Sequence, residues 1–232
     1  MPPFVSQKLA LLLVLCFTAV SEAQLRVATW NCAALRGDLS AIRDILAEIA
    51  EDDTPGWSTP PAVLILQEVN EGDEVTIRNL LNSEVPGPTW RIATYTNSDT
   101  GGAQACIYRG ELLTESVSDH RDLFTGAGRF SDRWRFTIDA TNGSTGFWVY
   151  SCHLKASQGS SNEDLRESGT QTILNNIATL PSDANIIWGG DFNFYSNSEP
   201  GYDLIANTVG SNAIVDPLGN GSWSGSGNRS EE

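Results

Sequence analysis

The 232-residue chain carries 14 basic and 29 acidic side chains, a net charge of −15. With 40% apolar residues, including seven Trp and eight Phe, it can bury a real core, which excludes intrinsic disorder as the whole answer. The absence of a short repeat or strong compositional bias excludes collagen-like and low-complexity classes. The acid surplus also argues against a protein that coats nucleic acid through surface Lys and Arg. A bound cation could still supply positive charge locally.

Near the N-terminus, Lys8 precedes an apolar run from Leu9 to Val20, and Ser21-Glu22-Ala23 follows it. The run is shorter than the roughly 20 residues a bilayer span needs. Basic residue, apolar run and small-residue cleavage site predict a signal peptide at 1–23, a secreted domain at 24–232, and a mature start at Gln24. A buried helix of the fold is the alternative. Cys16 leaves with the leader, so Cys32, Cys106 and Cys152 remain, each in an apolar strand-like run. They read as small core residues, with a Cys32–Cys152 disulfide as the lesser reading.

Leu25 to Trp30 reads as a strand. Asp38 to Glu51 reads as a helix, because Leu39, Ile42, Ile45, Leu46 and Ile49 recur at helical spacing. Thr54 to Pro61 is rich in breakers and predicts a loop. Ala62 to Gln67 is continuously apolar, as in a strand covered on both faces. Val75 to Leu81 predicts a short helix. Trp90 to Tyr95, Ala103 to Arg109, Leu112 to Val117, Trp134 to Ile138 and Phe147 to Leu154 predict strands. Asp164 to Leu180 predicts a helix with Leu165, Ile173, Leu174 and Ile177 on one face. Asn185 to Trp188 predicts a buried strand entering Gly189-Gly190. Strands with interspersed helices and hairpin-like pairs suggest an α+β or mixed sandwich.

Four segments end strands with polar residues that can carry chemistry. Asn31, in Thr29-Trp30-Asn31, offers a hard amide oxygen for a divalent cation; a turn Asn is the plain alternative. Glu68, in Leu66-Gln67-Glu68, finishes the most apolar run, where a carboxylate needs a cation or donors; an exposed strand-end Glu is the alternative. His153, in Ser151-Cys152-His153-Leu154, could donate to a phosphate oxygen, or be a core His on a backbone carbonyl. His120, the other His of the chain, lies in a polar stretch and reads as surface. In Gly189-Gly190-Asp191-Phe192-Asn193, Asp191 could orient an attacking water and Asn193 could bind the phosphate; a tight turn is the alternative. Arg121, Arg129, Arg133 and Arg135, interleaved with Asp122 and Asp132, read as a solvated mixed-charge face.

Trp-Asn, Gln-Glu, His-Leu and Gly-Asp-Phe-Asn, in that order and each after a strand-like run, resemble the endonuclease/exonuclease/phosphatase superfamily. The resemblance spans about Leu25 to Trp223, and His153-Leu154-Lys155-Ala156 is similar to secreted bacterial members. It implies a four-layer α/β/β/α sandwich of two packed mixed sheets, with the site at one edge. It implies a divalent metal on Glu68 and Asn31, Mg²⁺ first with Ca²⁺ or Mn²⁺ as alternatives. It implies catalytic roles for His153, Asp191 and Asn193 in hydrolysis of a phosphate ester. Nucleic acid, lipid head groups and sugar phosphates all remain open as substrates. Family members end with a further strand and a Ser-Asp-His segment, whereas this sequence has no His after His153. That difference implies a C-terminally incomplete domain, its last strands missing, with impaired catalysis. A non-catalytic secreted binding module on the same scaffold is the alternative.

Overall fold

Period-two burial along the strands creates two sheets, each with two usable faces. The computed structural model describes residues 25–51, 60–207 and 214–215. In the first sheet, β1 (Val27–Asn31), β2 (Val63–Val69), β4 (Ala103–Arg109) and β3 (Trp90–Ile92) lie in that spatial order. β1 and β2 run parallel, and the other pairs are antiparallel. In the second, β7 (Arg129–Ile138) pairs with β5 (Leu113–Glu115) and β6 (Arg121–Gly126) along one side. On its other side lies β8 (Gly146–His153), which pairs in parallel with β9 (Ile186–Asp191).

Three apolar cores separate four layers. Leu64, Leu66, Ala105 and Ile107 face Ile42 and Leu46 of α1 (Leu39–Glu51) and Ile77 and Leu81 of α2 (Asp73–Glu84). Their strand neighbours Val63, Ile65, Cys106 and Tyr108 meet Trp134, Phe136, Phe147 and Val149 between the sheets. Tyr150 and Cys152, on the other face of β8, pack on Ile173 and Ile177 of α3 (Ser160–Ile177). The order is therefore α/β/β/α. A fourth helix, α4 (Pro200–Ala206), follows the loop after β9.

Several expectations change. β3 and β5 each retain three residues, and Val117–Asp119 form a 3-10 turn. α2 is longer than expected at both ends; at its N-terminus Asp73 and Glu74 accept the amides of Asn70 and Gly72, extending its acidic first turn. α3 starts at Ser160, and its buried stripe is Arg166, Gly169, Thr170, Ile173 and Ile177, while Leu165 is exposed. Polar groups on that stripe hide its inward face from an apolar count. β9 is half-buried and lies at one end of its sheet among the described residues. β6 and the first half of β7 escaped the sequence reading because charged residues dominate them. The expected leader, most of the Thr54–Pro61 loop and residues 216–232 lie outside the described residues. No described helix is long and apolar enough to cross a membrane.

Cys32, Cys106 and Cys152 are free and buried, as core residues should be. Burial pushes the Cys32 thiol up to about 11 and raises the other two as well. Thiolate is the reactive form, so these thiols are expected to ignore Ellman's reagent at pH 8 in the folded domain and to react after unfolding. Rapid labelling of the native domain would contradict this burial.

Candidate active site

The ends of four strands meet at one edge of the sandwich. Register sets Asn31 beside Gln67 on the first sheet and His153 beside Asp191 on the second. Between Leu66 and Val69 the ladder with β4 slips, and Glu68 takes a left-handed backbone with φ 55°. Bulges re-aim side chains. Here the bulge brings the Glu68 carboxylate toward Asn31 and His153.

Asn31 Nδ2 donates to Glu68 Oε1 at 3.1 Å and to Asp191 Oδ2 at 2.9 Å. One amide thus bridges the two sheets and holds two carboxylates together. Its own Oδ1 accepts the Ala33 amide at 3.0 Å. His153 Nε2 lies 3.7 Å from Glu68 Oε1 and 3.9 Å from Asp191 Oδ2. The imidazole is buried, whereas the two carboxylates keep 27% and 31% of their side-chain surface in contact with solvent. Asp191 Oδ1 accepts the Asn193 amide at 3.1 Å, and Asn193 Nδ2 donates to the Leu154 carbonyl at 3.1 Å. All five residues expected from the sequence therefore lie together at this edge, His153 within ion-pair distance of both carboxylates and Asn193 at the margin, tying the ends of β8 and β9 together.

Two contributors were missed. Arg129 Nη1 lies 2.9 Å from His153 Nδ1. A guanidinium only donates, so Nδ1 must present its lone pair and the ring proton sits on Nε2, facing the carboxylates. Burial first, then the Arg129 charge, lowers the His153 pKa below its ordinary value, while Asp191 and Glu68 oppose the shift. Gln67, 1% exposed, donates through Nε2 to Thr29 Oγ1 and Ser151 Oγ and so links the two sheets beneath the site. A polar residue inside an apolar run was the available signal for Gln67. Nothing local distinguished Arg129 from its neighbours.

Two of those expectations fail. Arg121, Arg129, Arg133 and Arg135 do not share one solvated face. Arg133 is buried over the Trp148 ring, Arg135 pairs with Asp119, and Arg129 reaches His153. His120 is not a surface residue: its Nε2 lies 3.3 Å from Asp132 and its ring packs near Trp134. Asp132 is 2% exposed. Burial drives its pKa up to about 7; Asp122 and Asp99 add to the rise and His120 opposes it. A carboxyl that binds its proton more tightly when folded contributes stability at low pH and loses it as pH rises through the folded value. Stability is therefore expected to fall between about pH 4 and 7. Asp132→Asn should flatten that slope in urea titrations run across the range. An unchanged slope would remove Asp132 as its source.

Glu68 and Asp191 suit a hard cation, since Mg²⁺ is commonly held by one or two carboxylates with water and substrate oxygens completing the shell. Among the described residues no cluster of three or more His, Cys, Asp or Glu side chains forms a metal cage. Two solvent-accessible carboxylates sharing one amide fit the group without a cage.

A model of the endonuclease/exonuclease/phosphatase family matches residues 28–230. The chain belongs to that family. Solved structures agree on the fold. A Bacteroides thetaiotaomicron member of the family superposes with TM-score 0.57 at 16% identity, covering 77% of this chain and 66% of that one. The human nocturnin catalytic domain, with bound sulfate, gives 0.59 at 19%, covering 79% and 69%. A B. thetaiotaomicron mannosyl-6-phosphatase gives 0.57 at 15%, covering 78% and 69%. The chain spans about two thirds of the length of each of these structures. No curated protein matches it in sequence.

Proposed function

We propose that this chain is a secreted, divalent-metal-dependent phosphoesterase that hydrolyses a phosphodiester or phosphomonoester. The observation carrying the reading is the convergence of Asn31, Glu68, His153 and Asp191 from strand ends of both sheets. Glu68 would hold the cation, Mg²⁺ before Ca²⁺ or Mn²⁺, with Asn31 and Asp191 beside it. When bound, that cation supplies positive charge against the charge growing on the phosphate and leaving oxygens. Asp191 orients a water and takes its proton as the water oxygen bonds to phosphorus. The Nε2–H of His153, fixed by Arg129, donates to a phosphate oxygen as the bond to the leaving oxygen breaks. Asn193 donates its second amide hydrogen to the same phosphate. Family membership supports the reaction class. The apolar run ahead of Ser21-Glu22-Ala23 supports export.

A non-catalytic secreted binding module on the same scaffold, taking a phosphorylated ligand or a protein, is the second reading. The test is hydrolysis of bis-(p-nitrophenyl) phosphate, a sugar phosphate and plasmid DNA with Mg²⁺ or Ca²⁺, by this chain and by any natural longer form. Metal-dependent turnover supports the enzyme. Phosphate binding without turnover by either form favours the module. Sequencing the N-terminus of exported protein tests the start at Gln24.

A further inference from the structure

Arg166 projects from α3 into the protein and is fully buried. Its guanidinium makes four contacts in two directions. Nη1 donates to the carbonyls of Lys155 and Ser157 at 2.8 and 2.9 Å. Nε and Nη2 form a fork onto the Glu199 carboxylate at 2.7 and 3.0 Å. Glu199 is 4% exposed, and its Oε1 also accepts the Tyr195 amide at 2.7 Å. The Tyr195 hydroxyl in turn accepts the Ser157 amide at 3.0 Å, and the guanidinium lies over the Tyr195 ring.

Lys155 and Ser157 belong to the segment that leaves β8 immediately after His153. Tyr195 and Glu199 belong to the segment that leaves β9 after Asp191 and Asn193. The fork therefore joins the two chain exits from the site. Closer to the site, Leu154 N–H on the Asp191 carbonyl and Asn193 Nδ2 on the Leu154 carbonyl tie the same exits together. The far side is closed by aromatic packing of Phe192 on Phe194 and of Phe194 on Tyr202. A buried, hydrogen-bonded ion pair is weak evidence for stability, because desolvation offsets most of the attraction. Its geometric specificity is the stronger property: a planar fork accepts a carboxylate in one orientation.

We propose that Arg166 and Glu199 are positioning residues that set the placement of His153 relative to Asp191, resting on the phosphoesterase reading above. Neither touches the reacting groups; each acts through the loop it holds. A displacement of about 1 Å at a reacting centre can cost on the order of 100-fold in rate.

The test compares the tag-free wild type with Arg166→Lys, Glu199→Gln and the apolar double variant Arg166→Met/Glu199→Leu. Arg166→Lys keeps the charge but cannot reproduce the fork. The chain contains only two His, so its nitrogen-edited imidazole NMR spectrum holds two rings, with His120 as internal reference. Arg166→Lys is expected to move or broaden the His153 signals while His120 stays fixed. It should lower kcat about 10- to 100-fold with KM within about threefold. The double variant, free of an unpaired buried charge, should unfold cooperatively near the wild-type midpoint yet show the same His153 change. His153 signals that stay put in folded variants, or equal movement of both rings, would overturn the proposal. So would full kcat in Arg166→Lys. An inactive wild type would overturn the hydrolase reading instead, leaving the spectra to decide the coupling.

Discussion

Asp191→Ala is expected to lower metal-dependent phosphoester turnover by about 10²–10⁴-fold, the range for loss of a positioned base, while leaving the fold intact. The carboxylate is partly exposed and lies at the end of β9, so its removal opens no core. Asn31 keeps one acceptor, Glu68, when Asp191 is truncated. What is lost is the orientation of water, the hydrogen bonds from Asn31 Nδ2 and the Asn193 amide, and a negative charge beside His153 and the cation. Glu68→Gln separates the roles. It preserves the shape of the residue on the bulge but removes one of two negative charges that face a cation. Its calorimetric Mg²⁺ isotherm should weaken more than that of any variant away from the site. If Asp191→Ala turns over like wild type, Asp191 is not the base. If Glu68→Gln binds the cation unchanged, Glu68 is not its ligand.

The legible part of this protein was the part that obeys periodicity. Ala62 to Gln67 announced a doubly covered strand, and β2 alternates between the helix-facing and sheet-facing cores. Asn31, Glu68, His153 and Asp191 were visible because each interrupts an apolar run at its end, where a strand must leave the core. The illegible part depended on pairing. β6 and the start of β7 carry Arg121, Asp122, Arg129, Asp132 and Arg133, so no apolar rhythm marks them; their order comes from pairing with each other and with β8. Arg129 looked like one charge among several until β7 brought it to His153. Arg166 was silent for a related reason: its partners, the Lys155 and Ser157 carbonyls and Glu199, come together only in the fold. The Glu68 bulge, too, exists only opposite β4, where Gly102 leaves room: a Cβ there would lie 2.6 Å from the Glu68 Cα.

Gly190→Ala is expected to damage stability and chemistry together. Gly190 has φ +139°, a conformation that side-chain-bearing residues rarely adopt. A Cβ built there presses into the Cys152 carbonyl oxygen and lies 2.6 Å from its amide nitrogen. Both atoms belong to the backbone of β8, paired in register with β9, so neither can swing aside as a side-chain tip would. Relief requires β9 to move away from β8, and the next register pair is His153 with Asp191. Backbone strain and overpacking each cost about 1–3 kcal/mol, so the sum should be on the order of 3 kcal/mol. A urea titration reads that loss directly. Gly189→Ala is the control. Its Cβ would meet the Ile65 Cδ1 at 3.1 Å, the far end of a flexible side chain, so the cost should be smaller. Asp191 should remain in register in that variant. Activity measured on the folded fraction of each variant then separates the two effects. Gly190→Ala should lose turnover beyond its unfolded share, because the displaced strand carries Asp191 with it. Equal stability of the two variants would mean that β9 yields locally without disturbing β8. Full activity in folded Gly190→Ala would mean that the His153–Asp191 spacing is looser than the chemistry proposed for this edge requires.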